Sequence, residues 1–307
     1  MTIWFFEIEF NMVCLKKKDL PKVTVIIPCY NREKFIGETL NSALYQSYPN
    51  IEIIAVDDGS TDSTRKILEN YEKTITLLEH PGRANRGQSA AINLAMRSSE
   101  SDYVAILDSD DVWEPQKIEK QVAFLEKNYD IGYVYANGYA IDEKGKILYK
   151  LFFTDHIPTG DPARVLLECP IGTPSAYLVR RNIFEKAGYF DESLRSAQDH
   201  DMAIRLAEIA KIGYIDQILW RKREHAESLS GFQSERRWRL GFVILKKACS
   251  RYPYSWNIRR RRLAVLNFRL GQCMLTNGNY IEACIRFVFA GLLDPKRAIK
   301  IIIGMKF

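Results

Sequence analysis

Two short β-branched runs, each closed by a polar turn and separated by one helix-length of periodic sequence, constrain this chain more than any other feature. Lys22–Ile27 (KVTVII), ended by Pro28, and Ile51–Val56 (IEIIAV), ended by Asp57-Asp58-Gly59-Ser60, have the continuous apolar character of strands buried on both faces. Between them, within Glu33–Gln46, Phe35, Ile36, Leu40, Ala43 and Leu44 recur at helical spacing. A strand, a helix and a strand in that order make a right-handed crossover between parallel strands. The alternation continues. Ser60, Thr61 and Asp62 offer caps for a helix to Tyr71, Thr74–Leu78 reads as a strand, Gln88–Arg97 as a helix and Tyr103–Leu107 as a third buried strand. This pattern predicts an α/β layer fold.

Beyond Trp113-Glu114-Pro115 the periodicity predicts a helix to about Asn128, then a strand at Gly132–Ala136 and mixed strands and loops over 138–180. A helix over Asp199–Ala210 and a strand over Gly213–Trp220 follow, and from Glu235 onward the pattern is helical. A boundary near residue 232 therefore divides the chain into an N-terminal extension (1–20), an α/β domain (21–232) and a helical extension (233–307). The opening MTIWFFEIEFN places its lysines after the apolar part, the reverse of a secretory signal, so residues 1–11 read as an upstream extension and order is expected from near Pro21.

Charge separates the two ends. Residues 1–219 carry 25 Lys and Arg against 33 Asp and Glu, a net of −8, whereas residues 220–307 carry 19 against 5, a net of +14. A basic section of this kind suits an anionic partner, or is a solvated helix face. With 47% hydrophobic residues the chain can bury a core, which excludes a disordered or fibrous protein. No run approaches the roughly 18 apolar residues that span a bilayer. The six cysteines lack CxxC spacing and read as reduced core residues of a cytosolic protein.

In open α/β sheets ligands bind beyond the carboxyl ends of the strands. Here those ends are acidic: Asp57 and Asp58 after one strand, Asp108, Asp110 and Asp111 after another. Clustered carboxylates repel unless a cation neutralises them, so they point to a hard divalent metal with oxygen ligands. Neither GxGxxG after the first strand nor GxxxxGK[ST] occurs, which removes the dinucleotide oxidoreductases and P-loop NTPases. A site that holds a diphosphate through a metal remains, and nucleotide-sugars carry such a diphosphate.

Six segments in order resemble the family 2 glycosyltransferases of GT-A fold: VTVIIPCYNRE (23–33), the stretch Ala43–Asp62 ending in DDGSTD, NRGQSAAIN (85–93), YVAILDSDD (103–111), GYFDESL (188–194) and QDHDMAIRLA (198–207). The resemblance covers about residues 22–232 and implies a Rossmann-like mixed sheet flanked by helices, with a C-terminal helical extension. It implies that Pro28, Tyr30 and Asp58 line the base pocket, that Arg83 and Asn85 add nucleotide contacts, that Asp108 meets the ribose or sugar, and that Asp110 ligates Mn²⁺ or Mg²⁺. Asp199 matches the catalytic carboxylate, and His225 a histidine placed over the diphosphate or metal. A base that takes the acceptor proton while the diphosphate leaves from the other face gives one displacement and inversion. The family's usual Glu before that Asp is Gln198 here.

Simpler roles compete. Asp199 could cap the helix that follows, Pro28 and Tyr30 could form a strand-end turn, and Arg221 and Arg223 could meet phosphate oxygens or be surface charge. Arg237-Trp238 invites comparison with the QxxRW element of processive synthases, but Gln233 stands one residue too early, so transfer of a single sugar is expected.

In the basic section, Gly271, Gly278-Asn279-Tyr280, Ala283, Phe287, Ala290 and Asp294-Pro295 resemble one tetratricopeptide unit, with a plain helical hairpin as the alternative. Its charge, with four arginines at 259–262, suits docking on an anionic membrane at the cytoplasmic face, where lipid-linked acceptors reside. The expected partners are a nucleotide-sugar, UDP-sugar by default, and a glycan or lipid-linked acceptor, and no nucleic acid. The competing activity is a haloacid-dehalogenase-type phosphohydrolase using Asp108 and Asp110 in DSDDV. That motif normally sits on the first strand, and no GDxxxD element follows here. A catalytically dead binding module is the third reading, and it has no need of Asp58, Asp110 and Asp199 together.

Overall fold

The computed structural model of the protein describes residues 20–153, 156–168, 173–225 and 235–302. The expected extension over residues 1–11, Cys14, Cys169, residues 226–232 of the loop after Arg221, Gln233 and the closing residues 303–307 lie outside the described residues.

The strands are β1 (Val23–Cys29), β2 (Ile51–Asp57), β3 (Thr76–Glu79), β4 (Tyr103–Ile106), β5 (Val112–Trp113), β6 (Ile131–Ile141), β7 (Ile147–Lys150), β8 (Tyr177–Arg180) and β9 (Lys211–Arg223). Together these described strands form one sheet in the order β3-β2-β1-β4-β8-β6-β9-β5, with β7 paired on β6. The helices are α1 (Ile36–Leu44), α2 (Thr64–Glu69), α3 (Gln88–Arg97), α4 (Lys117–Lys127), α5 (Pro162–Glu168), α6 (Arg181–Ala187), α7 (Gln198–Ile209), α8 (Glu235–Arg251), α9 (Trp256–Thr276), α10 (Tyr280–Leu293) and α11 (Pro295–Ile302).

β1 runs parallel to β2 and β4, and β2 to β3. Every residue of β1 and β4 is buried, which is why both read as unbroken apolar runs. The second half reverses direction: β8 is antiparallel to β4 and β6, while β6 and β9 run parallel. The result is a mixed sheet flanked by helices, the GT-A-like α/β architecture that the resemblance implies. Its parallel half sets the ends of β1, β2 and β4 side by side.

Three local expectations change. β6 runs on to Ile141 and β9 from Lys211 to Arg223, because the two pair along their whole length and β5 completes the far edge at Trp220 and Arg221. The 138–180 stretch contains α5, started by Asp161, whose carboxylate accepts from Ala163 N–H at 3.0 Å, and by Pro162 at the first helical position. Cys29 and Cys273 are buried, but Cys284 is exposed, because the helical period sets it on the outward face of α10 beside Ile281, Ile285 and Val288.

The helices after residue 235 share the core of the sheet: Ile244, Leu245 and Ala248 of α8, Tyr254 in the turn that follows and Leu266 of α9 belong to the same cluster as Val104 and Leu206. The α9–α10 pair closes as a hairpin on Gly271, where an added Cβ would meet the Phe287 ring at 2.9 Å. Among the described residues no helix is long and apolar enough to cross a membrane. The run of four arginines is not an open basic patch. Arg259 donates to the Tyr254 carbonyl, Arg260 to Asn257, Arg261 lies 3.9 Å from Asp294, and Arg262 is buried. A helix turns about 100° per residue, so four consecutive arginines cannot share one face.

Gly138 of β6 lies opposite Trp220 of β9, and a Cβ there would come within 2.7 Å of both the Trp220 carbonyl and its indole nitrogen. Gly138→Ala is expected to cost about 1–3 kcal/mol by overpacking this pair, read as a lower urea midpoint; an unchanged midpoint contradicts the tight β6–β9 register.

Candidate active site

The ends of β1, β2 and β4, the start of α3, the start of α7 and the end of β9 surround a cleft of about 730 Å³. Pro28, Tyr30, Asp58, Asn85, Asp108, Asp110 and Asp199 all line it. Arg83 does not. It is exposed, has φ +55°, and sets its guanidinium 3.5 Å from the buried Asp57 and 3.8 Å from Glu79. His225 stands behind the lining, with Nε2 3.0 Å from Asp110 Oδ2 and its ring centroid 4.8 Å from that of Phe35.

Asp58 is tied to the chain at both oxygens. Oδ1 accepts from Arg86 N–H and Oδ2 from Gly87 N–H, each at 2.7 Å, which draws the 83–87 loop against the end of β2. Gly59 is required there: at φ +76° a Cβ would lie 2.5 Å from the Arg83 carbonyl oxygen. Burial raises the Asp58 carboxyl above its ordinary value, partly offset by the two amide hydrogen bonds.

The loop after β4 carries the main charge. Burial, then the charges of Asp110 and Asp199, push Asp108 up to about 7, while its Oδ1 accepts from Gln88 Nε2 at 2.8 Å. Burial, with Asp110 and Asp108 nearby, raises Asp111 well above the carboxylate range; it accepts from Arg223 N–H at 3.0 Å. Asp110 moves the other way. Burial opposes its ionisation, but the His225 hydrogen bond and the Arg32 guanidinium, Nε to Oδ2 at 3.2 Å, hold its carboxyl below the usual value.

Asp199 does not cap α7. The cap position is Ala197, at φ +59° and without a side-chain bond, and Asp199 Oδ1 accepts from the next N–H, that of His200, at 2.8 Å. Its carboxylate faces the cleft and acts on Asp108 through space. Gln198 links two elements of the site, since its Nε2 donates to Gln88 Oε1 at 2.6 Å and Gln88 donates in turn to Asp108. A glutamate at 198 has no hydrogen to donate into that relay.

Sequence reasoning missed Arg32, although it lies in the YNRE segment after β1, and Gln88, whose partners are 20 and 110 residues away. Arg221 and Arg223 are not loose surface charge. Arg221 pairs with Glu114 at 2.6 Å, and Arg223 pairs with Glu38 at 2.6 Å and donates to the carbonyls of Asp110, Asp142 and Glu143. Arg223 also lines the cleft, and Arg32, Lys222, Arg195, Arg236 and Arg237 add positive charge there.

The donor set fits a divalent cation. Asp108 is held against two other carboxylates at the cost of a raised pKa, and a cation beside Asp110 relieves that repulsion. Asp110 and Asp108 would supply carboxylate oxygens, which suit Mg²⁺ and Mn²⁺ alike, and His225, whose Nε2 meets Asp110 Oδ2 at 3.0 Å, an imidazole nitrogen. Among the described residues no three His, Cys, Asp or Glu side chains converge as a complete ligand group, so a cation here would need ligands from outside the protein, as is usual for Mg²⁺ at phosphate sites.

The profile described as Glycosyl transferase family 2 matches residues 24–188, which takes in Pro28 through the Asp108–Asp111 loop and stops short of Asp199. A Rickettsia felis protein named as an uncharacterized glycosyltransferase is 32% identical over 225 residues, 70% of this chain and 37% of that protein. Chondroitin synthase of Escherichia coli is 28% identical over 262 residues, 82% of this chain and 37% of that enzyme. The chain thus spans little more than a third of either relative. Among solved structures, S. aureus TarS 1–349 in complex with UDP-GlcNAc superposes with a TM-score of 0.64 over 88% of this chain and 81% of that one, at 23% identity. On the extent of the profile match, the chain belongs to glycosyl transferase family 2.

Proposed function

We propose that the chain is an inverting, metal-dependent glycosyltransferase. It moves one sugar from a nucleotide-diphospho-sugar to an acceptor hydroxyl in the making of a cell-surface polysaccharide or glycolipid. The observation that carries this reading is the cleft that brings Asp199 together with Asp58, Asp108 and Asp110. The UDP-GlcNAc complex of TarS and the name of chondroitin synthase support a UDP-sugar and a polysaccharide product. Residues 21–232 form the transferase domain in this reading, and 233–307 its helical extension.

Pro28 and Tyr30 at the end of β1 offer the base a wall, with Asp58 and Asn85 beside it and Arg83 at the outer edge of the same loop. Asp108 receives the ribose or sugar. Asp110, with His225 behind it, would hold Mn²⁺ or Mg²⁺, which when bound neutralises the diphosphate that leaves. Asp199 takes the proton of the acceptor hydroxyl as that oxygen attacks the anomeric carbon. With one base and no covalent intermediate, the configuration inverts. The phosphohydrolase alternative has less support: Asp110, which that chemistry needs as an acid, is kept ionised by Arg32 and His225.

The acceptor's class sets the location. A lipid-linked acceptor puts the enzyme at the cytoplasmic face of an anionic membrane. The net +14 of residues 220–307 supplies attraction, and the outward face of α10 (Ile281, Ile285, Val288, Phe289, Leu292) supplies apolar surface.

Asp199→Asn is expected to keep donor affinity and to lose transfer by a factor on the order of 10² to 10⁴, measured as kcat with a soluble acceptor; transfer within a few-fold of wild type removes Asp199 from the base role. Sedimentation with vesicles tests the membrane reading. The protein should bind vesicles containing acidic lipid and release them as salt rises past physiological strength, where screening acts over about 8 Å, and Val288→Asp with Leu292→Asp should weaken binding. Indifference of the wild type to acidic vesicles at low salt contradicts it.

A further inference from the structure

Arg262 turns away from its three neighbours and into the protein. It is 5% exposed, donates from Nη1 to the Leu167 carbonyl at 2.9 Å, and sets Nη2 3.3 Å from Nδ1 of His200. His200 is itself 7% exposed, with Nε2 2.9 Å from the Val165 carbonyl. A carbonyl can only accept, so the ring proton is on Nε2 and Nδ1 is left to accept from the guanidinium. The imidazole is therefore neutral and held at both nitrogens. Burial and the charge of Arg262 agree with this, lowering the His200 pKa to about 3.

The two side chains also finish α5. The last carbonyls of a helix have no partner within it, and here Val165 is satisfied by His200 and Leu167 by Arg262. One guanidinium thus joins α9, the end of α5 and the first turn of α7. His200 follows Asp199 directly and gives its backbone N–H to the Asp199 carboxylate. On the other side Ala197 occupies a left-handed conformation that a residue with a Cβ adopts at a cost, so this turn needs outside support.

We propose that Arg262 is a positioning residue for sugar transfer: by clasping His200 from the C-terminal helices it fixes the first turn of α7 and the direction in which Asp199 presents its carboxylate. The proposal rests on the reading of Asp199 as the base. A buried guanidinium is a weak source of stability compared with an apolar side chain of similar volume. What its planar fork adds is a fixed angle between two acceptors on different segments. The helical extension is then part of the catalytic apparatus and not an appendage to it.

The test uses the full chain with Arg262→Met, Arg262→Lys and Asp199→Asn, measuring thermal stability, calorimetric UDP affinity in Mn²⁺, and kcat and KM for a soluble acceptor. A shift of the carboxylate by a fraction of an ångström to one ångström costs on the order of tenfold to a hundredfold in rate. Arg262→Met should lose that much kcat with UDP affinity within about twofold, and Arg262→Lys, which keeps the charge but has its donors on a single nitrogen, should recover part of it. A folded Arg262→Met protein with kcat within twofold of wild type overturns the proposal. Should Arg262→Met fail to fold, Arg262→Lys decides: it lacks the two-acceptor fork, so an unchanged kcat overturns the proposal and a lowered kcat with intact UDP affinity supports it. An active Asp199→Asn protein instead overturns the reading of Asp199, whatever the Arg262 variants do.

Discussion

Three carboxylates that repel one another are held in one cleft, and the remainder of the site is arranged around that repulsion. Half-buried and near both Asp110 and Asp199, Asp108 has its pKa pushed up to about 7. Asp110 escapes through Arg32 and His225. The two groups within two residues of each other on one loop are thus driven in opposite directions, one toward the neutral acid and one toward the anion. A fold optimised for stability alone has no use for such a cluster; a site that receives a cation and a diphosphate does.

The parallel half of the sheet makes the cluster unavoidable. β1, β2 and β4 lie side by side and end together, so Pro28, Asp58 and Asp108 emerge at one edge. Asp58 anchors the 83–87 loop, which starts α3 and brings Gln88 to Asp108; Gln88 in turn reaches Gln198 at the start of α7. A chain of hydrogen bonds therefore runs from the end of β4 to the residue before Asp199. It offers a physical reason for the Gln at 198, since an amide there donates to Gln88 where a carboxylate only accepts.

The parts legible in the sequence are those fixed by neighbours in sequence. The buried strands β1, β2 and β4 show as β-branched runs, α3 matches its expected span Gln88–Arg97, and the DSDD loop announces its charge. What stayed hidden depends on contacts between distant segments. Arg32 meets Asp110 across 78 residues and His225 meets it across 115, and nothing local in either residue names its partner. Arg262 is the sharpest case. Four arginines in a row read as one basic patch, yet the helical turn sends the last of them into the core to meet His200, 62 residues away. The α5 helix was readable in principle, from Asp161 and Pro162, but lay within a stretch whose apolar residues follow no clear period.

On the proposed function, the carboxylates of this cleft need a divalent cation before a nucleotide diphosphate can enter. Calorimetric titration of UDP into the wild type and into Asp110→Ala, each with Mn²⁺ and with EDTA, tests it most directly. Mn²⁺ is expected to strengthen UDP binding to the wild type by about tenfold or more and to leave Asp110→Ala almost unaffected. Equal UDP affinity of the wild type with and without Mn²⁺ would contradict it.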